Sequence, residues 1–143
     1  MKISIASDHA GYRYKEIIKK HLIDKGFEVI DHGAFSNESS DYPDFIRPAA
    51  IDVVEQRAEK AIGVCGSGIG VSIVANKVKG IRAANVFNEK MAELSVQHNN
   101  ANFLALGERF TDENEVLKIV DAWLNARFEG GKHERRVNKI EDL

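Results

Sequence analysis

One cysteine, Cys65, stands alone among 143 residues, so no disulfide can close within the chain. No C-x-x-C pair exists for metal or redox chemistry either. Apolar runs are too short for a membrane span or a secretory h-region, and the amino terminus MKISIAS has no basic leader. The expected location is the cytoplasm. Charge is nearly balanced, with 20 Lys and Arg against 22 Asp and Glu, and a net charge of -2 gives no global attraction to nucleic acid. Gly-Lys-Ser and Gly-Lys-Thr do not occur, so there is no Walker loop. With two prolines and no linker, repeat or low-complexity segment, residues 1–143 read as a single domain.

The segments present alternate between two periodicities. Lys2 to Ser7 reads as a short buried strand running into the turn Asp8-His9-Ala10-Gly11. Tyr14, Ile17, Ile18, His21 and Leu22 recur at helical spacing, with Lys15, Glu16, Lys19 and Lys20 on the opposite face and Gly26 as the stop. Phe27 to Asp31 is a second strand, and His32 to Pro43, rich in Gly, Ser, Asn and Asp, is a surface loop. A helix from about Asp44 carries Phe45, Ala49, Val53 and Arg57 on one side and tolerates Pro48 early in its length. Lys60 to Val64 is the strand that delivers Cys65. Val71, Val74, Ala75 and Val78 form a helix face, and Ile81 to Val86 a fourth strand. Asn88 caps a helix with Met91, Leu94, Ser95 and His98 on one face, and Asn102 to Leu106 is the fifth strand. Asp112 caps a helix with Val116, Ile119, Val120, Trp123 and Leu124 inward. Beyond Gly130 and Gly131, Lys132 to Lys139 forms a last short helix anchored by Val137 and Ile140. Strands and helices in alternation call for an α/β fold, a three-layer doubly wound domain whose parallel sheet is covered on both faces. Ligands in such sheets sit beyond the carboxyl ends of the strands. The Asp8 turn and the Cys65 loop both leave carboxyl ends and meet if strands one and three are neighbours.

The run Cys65-Gly66-Ser67-Gly68-Ile69-Gly70 concentrates the chemistry. A lone cysteine in an apolar strand is ordinarily a small buried hydrophobe. Here it ends the strand before three closely spaced glycines, whose backbone N–H groups can converge on an anion at a helix start. Thiols ordinarily titrate near about 8.5, so a base at this position needs a local field that favours the thiolate, which the same loop provides. The spacing is Gly-x-Gly-x-Gly rather than Gly-x-Gly-x-x-Gly, and no acidic residue ends the next strand, which argues against a dinucleotide. His9, His98 and Cys65 lack metal-ligand spacing, so no metal is expected. Arg109, Lys132, Arg135 and Arg136 read as a solvated surface, the usual fate of a charge run, or, near a glycine anion nest, as partners of a phosphate.

Ser7-Asp8-His9-Ala10-Gly11, Asp41-Tyr42-Pro43, the Cys65 to Gly70 run, Ala75-Asn76-Lys77, Gly80-Ile81-Arg82-Ala83, His98-Asn99-Asn100 and Glu129-Gly130-Gly131 together resemble the type B ribose-5-phosphate isomerases. The resemblance spans nearly the whole chain and includes relatives acting on galactose and allose 6-phosphates. It implies a Rossmann-like sheet of strand order 2-1-3-5-4, no cofactor, and a homodimer or a tetramer built from dimers. It also implies reversible aldose–ketose isomerisation of ribose 5-phosphate and ribulose 5-phosphate in the pentose phosphate pathway. Cys65 is then the proton-transfer base, Ser67 a hydroxyl in the catalytic loop, and His98 the residue assisting ring opening. Asp8 and His9 contact the sugar near its ring oxygen and phosphate, the amides of Gly66, Ser67, Gly68, Ile69 and Gly70 face the enediolate, and Asn99 and Arg109 join the site. Lys132 and Arg136 fall where the family binds phosphate. This chain has Ser67 where threonine is common, and Lys132, without a bidentate fork, where arginine is common. Isomerases of six-carbon sugar phosphates and noncatalytic phosphosugar-binding proteins are the alternatives.

His98 ends the helix before strand five and so belongs near the amino ends of the strands, whereas Cys65 lies at a carboxyl end. A five-residue strand spans roughly 17 Å, beyond the reach of a histidine side chain. His98 and Asn99 are therefore expected to act in a partner subunit's site.

Overall fold

Side chains alternate along the central strands, and the two sets are both apolar. Ile3, Ile5, Ile62, Val64, Leu104 and Leu106 enter one core, while Ala6, Ala61, Cys65, Phe103 and Ala105 enter another on the opposite face. In the computed structural model, which describes residues 1–143, this patterning yields one sheet of five strands. They are β1 (Lys2–Ser7), β2 (Glu28–Asp31), β3 (Lys60–Cys65), β4 (Ala83–Asn85) and β5 (Phe103–Gly107). All pairings are parallel and the order is β2-β1-β3-β5-β4, as the resemblance implied. The helices are α1 (Tyr12–Asp24), α2 (Tyr42–Val54), α3 (Ile69–Asn76), α4 (Glu89–Gln97), α5 (Glu113–Asn125) and α6 (Lys132–Glu141). One core takes Tyr14, Ile18 and Leu22 from α1, Ala92 and Val96 from α4, and Val116, Ile119, Val120 and Trp123 from α5. The other takes Ile46, Ala49 and Ala50 from α2 with Val71, Val74 and Ala75 from α3. Cys65 lies on the α2 and α3 side. None of the helices is long and apolar enough to cross a membrane.

Several elements differ from the sequence expectation. Helix α2 starts at Tyr42, because Pro43 in its first turn has no N–H to leave unpaired, and it ends at Val54, so Arg57 is outside it. Strand β4 is shorter than expected. The Arg82 N–H donates to Asn102 Oδ1 at 2.8 Å and the Ala83 N–H to Asn76 Oδ1 at 2.8 Å, so side chains cap the start of this edge strand. Asn88 caps α4 as expected, accepting from the Met91 N–H at 2.8 Å. The inward face of α4, however, is Ala92, Ser95 and Val96, and Met91 is exposed. Asp112 occupies the N-cap position of α5, but its side chain makes no capping hydrogen bond.

The largest departure is Lys15, expected on the solvent face of α1 and found 0% exposed. Its ammonium donates to both oxygens of Asp31 at 2.8 Å and to Glu16 Oε2 at 2.9 Å. Aromatic rings of Tyr12 and Phe35 lie 5.5 and 5.2 Å from the same nitrogen. Asp31 also accepts from Lys19 and from the Gly33 N–H, so the end of β2, the start of the following loop and α1 are tied at one carboxylate. A second carboxylate, Asp52 of α2, accepts from Ser4 Oγ at 2.6 Å and Arg57 Nε at 2.8 Å, with His32 Nε2 at 2.5 Å.

Burial alone would raise both carboxyls, but the hydrogen bonds outweigh it and hold Asp31 and Asp52 below the ordinary carboxylate value. A depressed folded pKa contributes stability that is complete above the unfolded value, about 3.9, and is lost as pH falls through the folded one. Urea unfolding midpoints should thus hold steady down to about pH 5 and drop below about pH 4. Asp31→Asn leaves the buried Lys15 charge with Glu16 as its one carboxylate partner and should cost about 3 kcal/mol at neutral pH, measured by urea titration.

Candidate active site

The five registered pairs between β1 and β3 end at Ser7 opposite Val64, which places the next residues of both strands, Asp8 and Cys65, at one edge of the sheet. Asp8 is buried and its Oδ1 accepts from the N–H groups of Ala10 and Gly11 at 2.9 and 3.1 Å, turning the chain into a 3-10 turn over His9–Gly11. The Cys65 loop leads directly into α3. A cavity of about 420 Å³ lies between the two, lined by Asp8, His9, Ala10, Tyr42, Cys65, Gly66, Ser67, Ile69, Gly70, Ile73 and Arg109. Eight residues singled out from the sequence therefore share one cavity or its loop: Asp8, His9, Cys65, Gly66, Ser67, Ile69, Gly70 and Arg109. Gly68 is the buried pivot of that loop.

Two glycines in the run are required by geometry. Gly68 has φ +79°, and a Cβ there would lie 2.3 Å from Asn85 Oδ1. At Gly66 a Cβ would lie 2.7 Å from the guanidinium carbon of Arg109, and the backbone N–H of Arg109 donates to the Gly66 carbonyl at 2.9 Å. The arginine is thus drawn over the loop. The Gly68 N–H donates to Cys65 Sγ at 3.1 Å, and the Ile69 N–H donates to Ser67 Oγ at 3.1 Å. Two of the five loop amides expected to face a ligand are accordingly engaged inside the loop. Those of Gly66, Ser67 and Gly70 have no acceptor in the protein. Three unpaired N–H groups, the start of α3 and the Arg109 guanidinium give a thiol-lined cavity suited to oxyanions.

Tyr42, Ala10 and Ile73 line the cavity without having been picked out as site residues. Tyr42 was signalled by the Asp41-Tyr42-Pro43 triplet, since α2 starts there and its ring packs against Gly70. Ile73 carried no signal, because its helical phase marks only an exposed position.

His98, Asn99, Lys132 and Arg136 are absent from this cavity. His98 caps the end of α4, on the side of the sheet where β5 begins. Its imidazole stacks on that of His133, with centroids 4.2 Å apart and planes 8° from parallel, and both Nε2 atoms approach Glu129 Oε1, at 3.7 and 3.6 Å. Burial and the neighbouring His98 hold His133 below the ordinary histidine value, against the opposing pull of Glu129. Arg82 organises this region, donating to the carbonyls of Asn99 and Asn100 and pairing with Glu141 of α6. Lys132 and Arg136 are exposed on α6. The ligand atoms of His98, Glu129 and His133 lie within 4.8 Å of one another. Parallel stacked rings nevertheless leave no point in the plane of both imidazoles, so this arrangement does not suit a common cation.

Residues 3–140 match the family described as Ribose/Galactose Isomerase. The chain is 44% identical over 139 residues to ribose-5-phosphate isomerase B of Escherichia coli K12, covering 97% of this chain and 93% of that one. It is 50% identical over 141 residues to a probable ribose-5-phosphate isomerase B of Mycoplasma genitalium, covering 96% and 92%. Among solved structures, ribose-5-phosphate isomerase B of Clostridium thermocellum superposes with a TM-score of 0.98 at 51% identity, over 99% of this chain and 96% of that one. The Mycoplasma genitalium enzyme with bound ribulose-5-phosphate superposes with a TM-score of 0.95 at 48% identity, over 99% and 94%. With identity and fold matched across nearly its full length, the chain belongs to the ribose/galactose isomerase family.

Proposed function

We propose that the chain interconverts D-ribose 5-phosphate and D-ribulose 5-phosphate through an enediolate, with Cys65 as the base. The observation that carries this reading is the Cys65 thiol beside three amides without protein acceptors, in a cavity shared with Asp8, His9 and Arg109. In the open-chain aldose, Cys65 Sγ takes the proton from C2 as the C1 carbonyl becomes the enediolate oxygen. The N–H groups of Gly66, Ser67 and Gly70 stabilise that charge. The proton returns to C1, while the O2 hydroxyl proton moves to O1, leaving a C2 ketone. Ser67 Oγ accepts from the Ile69 N–H, which leaves its own hydrogen to donate to a substrate oxygen. A lone free thiol is in keeping with a reducing, cytoplasmic setting.

His98, Asn99, Lys132 and Arg136 belong to this reaction if a second copy supplies them. The six residues of β3 span about 20 Å, so His98 at the amino side does not reach its own chain's Cys65. Helix α3 provides the route between copies. It leaves the cavity at Ile69 and ends at Asn76, which shares a cavity of about 250 Å³ with Arg82, Asn99 and Ile140. Its outer face exposes Ile69 and Ile73, an apolar strip that a second α3 covers when packed antiparallel about a two-fold axis. At 1.5 Å per residue, α3 is about 12 Å long, so this packing sets the Asn76 end of one copy beside the Ile69 end of the other. The neighbour's His98 and Asn99 would then face the Cys65 cavity, with Lys132 and Arg136 available to the phosphate.

Cys65→Ala should lower kcat on ribose 5-phosphate by about 10³-fold or more while calorimetry still detects sugar phosphate binding. Near-normal turnover would remove Cys65 as the base. Ribose 5-phosphate should also exceed allose and galactose 6-phosphates in kcat/KM when the three are compared in one assay. Mixing inactive Cys65→Ala with inactive His98→Asn chains should restore about a quarter of wild-type activity, because half of a statistical mixture is heterodimer with one intact site. No recovery despite demonstrated subunit exchange would refute the shared site.

A further inference from the structure

His9 is the cavity residue whose hydrogen-bonding role is set from outside the cavity. It lies in the 3-10 turn after β1, and its ring meets residue 40 of the loop between β2 and α2. The backbone N–H of Ser40 donates to His9 Nδ1 at 3.1 Å, and the backbone N–H of His9 donates back to Ser40 Oγ at 3.0 Å. Ser40 Oγ itself stands 3.5 Å from Nδ1. A backbone N–H can only donate, so Nδ1 must present its lone pair, and the proton of the neutral imidazole sits on Nε2.

This reciprocal pair is held from both sides. At its start the loop continues the β1 ladder: the Ser7 N–H donates to the Gly33 carbonyl at 2.6 Å and the Ala34 N–H to the Ser7 carbonyl at 2.7 Å. Gly33 is further tied to Asp31, and Phe35 lies beside the buried Lys15 ammonium. At its end, two residues past Ser40, Tyr42 opens α2 and lines the same cavity as His9. Ser40 therefore stands at a fixed place rather than on a free loop tip.

We propose that Ser40 is a positioning residue that holds His9 as the Nε2–H tautomer, so that the ring presents a single hydrogen-bond donor to the oxygens of a sugar phosphate. This rests on the reading of His9 as a substrate contact. The backbone of residue 40 supplies the decisive donor, and its hydroxyl keeps the two segments in register. Neutral Nε2–H donation selects an oxygen acceptor, a ring oxygen or a phosphate oxygen, without placing a second proton toward the loop.

The direct test is long-range 1H–15N correlation on the wild-type protein with labelled histidines, the His9 signals assigned by their loss in His9→Gln. The expected result at neutral pH is a protonated Nε2 and a bare Nδ1. An Nδ1–H tautomer or an imidazolium in the free protein overturns the proposal, with no variant needed. Ser40→Thr keeps both contacts and should match the wild type in tautomer, kcat and KM. Ser40→Pro deletes the amide donor; it should populate the Nδ1–H form and raise KM for ribose 5-phosphate about tenfold with a smaller change in kcat. An unchanged tautomer and KM in folded Ser40→Pro would overturn the proposal. If that variant does not fold, His9→Gln and His9→Asn decide. Glutamine carries its amide donor out to about the place of Nε2, whereas the shorter asparagine carries its own only as far as Nδ1, so Gln should retain the lower KM, and equal KM values count against the proposal. Absence of any sugar phosphate turnover in the wild type would defeat the functional reading instead, leaving the tautomer result to stand alone.

Discussion

The adjacency of β1 and β3 is the constraint on which the rest of the site depends. Parallel pairing from Ile3 opposite Lys60 to Ser7 opposite Val64 aligns the carboxyl ends of two strands far apart in sequence. Each strand then turns sharply, one at Asp8 through its own side-chain cap and the other at Gly68 through a left-handed backbone. A slip of one residue in that register would send Cys65 to the other face of the sheet, away from α2 and α3. The apolar faces of both strands oppose such a slip, since Ile5 and Val64 occupy one core and Ala6 and Cys65 the other.

Around that edge the protein arranges donors rather than charges. The cavity combines unpaired backbone amides of Gly66, Ser67 and Gly70 with one guanidinium, from Arg109, while Asp8 is committed to its turn. Fixed dipoles of this kind need no reorganisation when charge moves onto a substrate oxygen, which suits a reaction whose intermediate is an enediolate. Lys132 and Arg136 sit on α6, which meets the turn before β5 through the stacked imidazoles of His98 and His133. Arg82 joins that region together by linking the turn after α4 to α6. Helix α3 runs between the Cys65 cavity and the smaller cavity that holds Arg82 and Asn99.

Much of this was legible in the amino-acid order. Period-two and helical patterns located every strand and helix, and the glycine run after Cys65 marked the loop that the structure places at the cavity. Lys15 was misread because helical phase reports which face a residue occupies, not whether a carboxylate waits there; the approach of Asp31, with Glu16 beside it, makes burial of an ammonium tolerable. Met91 was placed on one face of α4 with Leu94, Ser95 and His98, whereas of these only Ser95 is buried, beside Ala92 and Val96. Ser40 escaped attention because a loop rich in Ser and Asn carries no periodicity.

Local order thus established the α/β alternation, the thiol before its glycines and the separation of His98 from Cys65 along the strand direction. Folding decided which loop amides remain unpaired, that Arg109 lies over Gly66, and that the Ser40 N–H faces His9 Nδ1. The division has a physical cause. Hydrophobic period and backbone freedom are properties of neighbours in the chain, while hydrogen-bond partners separated by 31 residues, as His9 and Ser40 are, exist only once the sheet has brought their segments together.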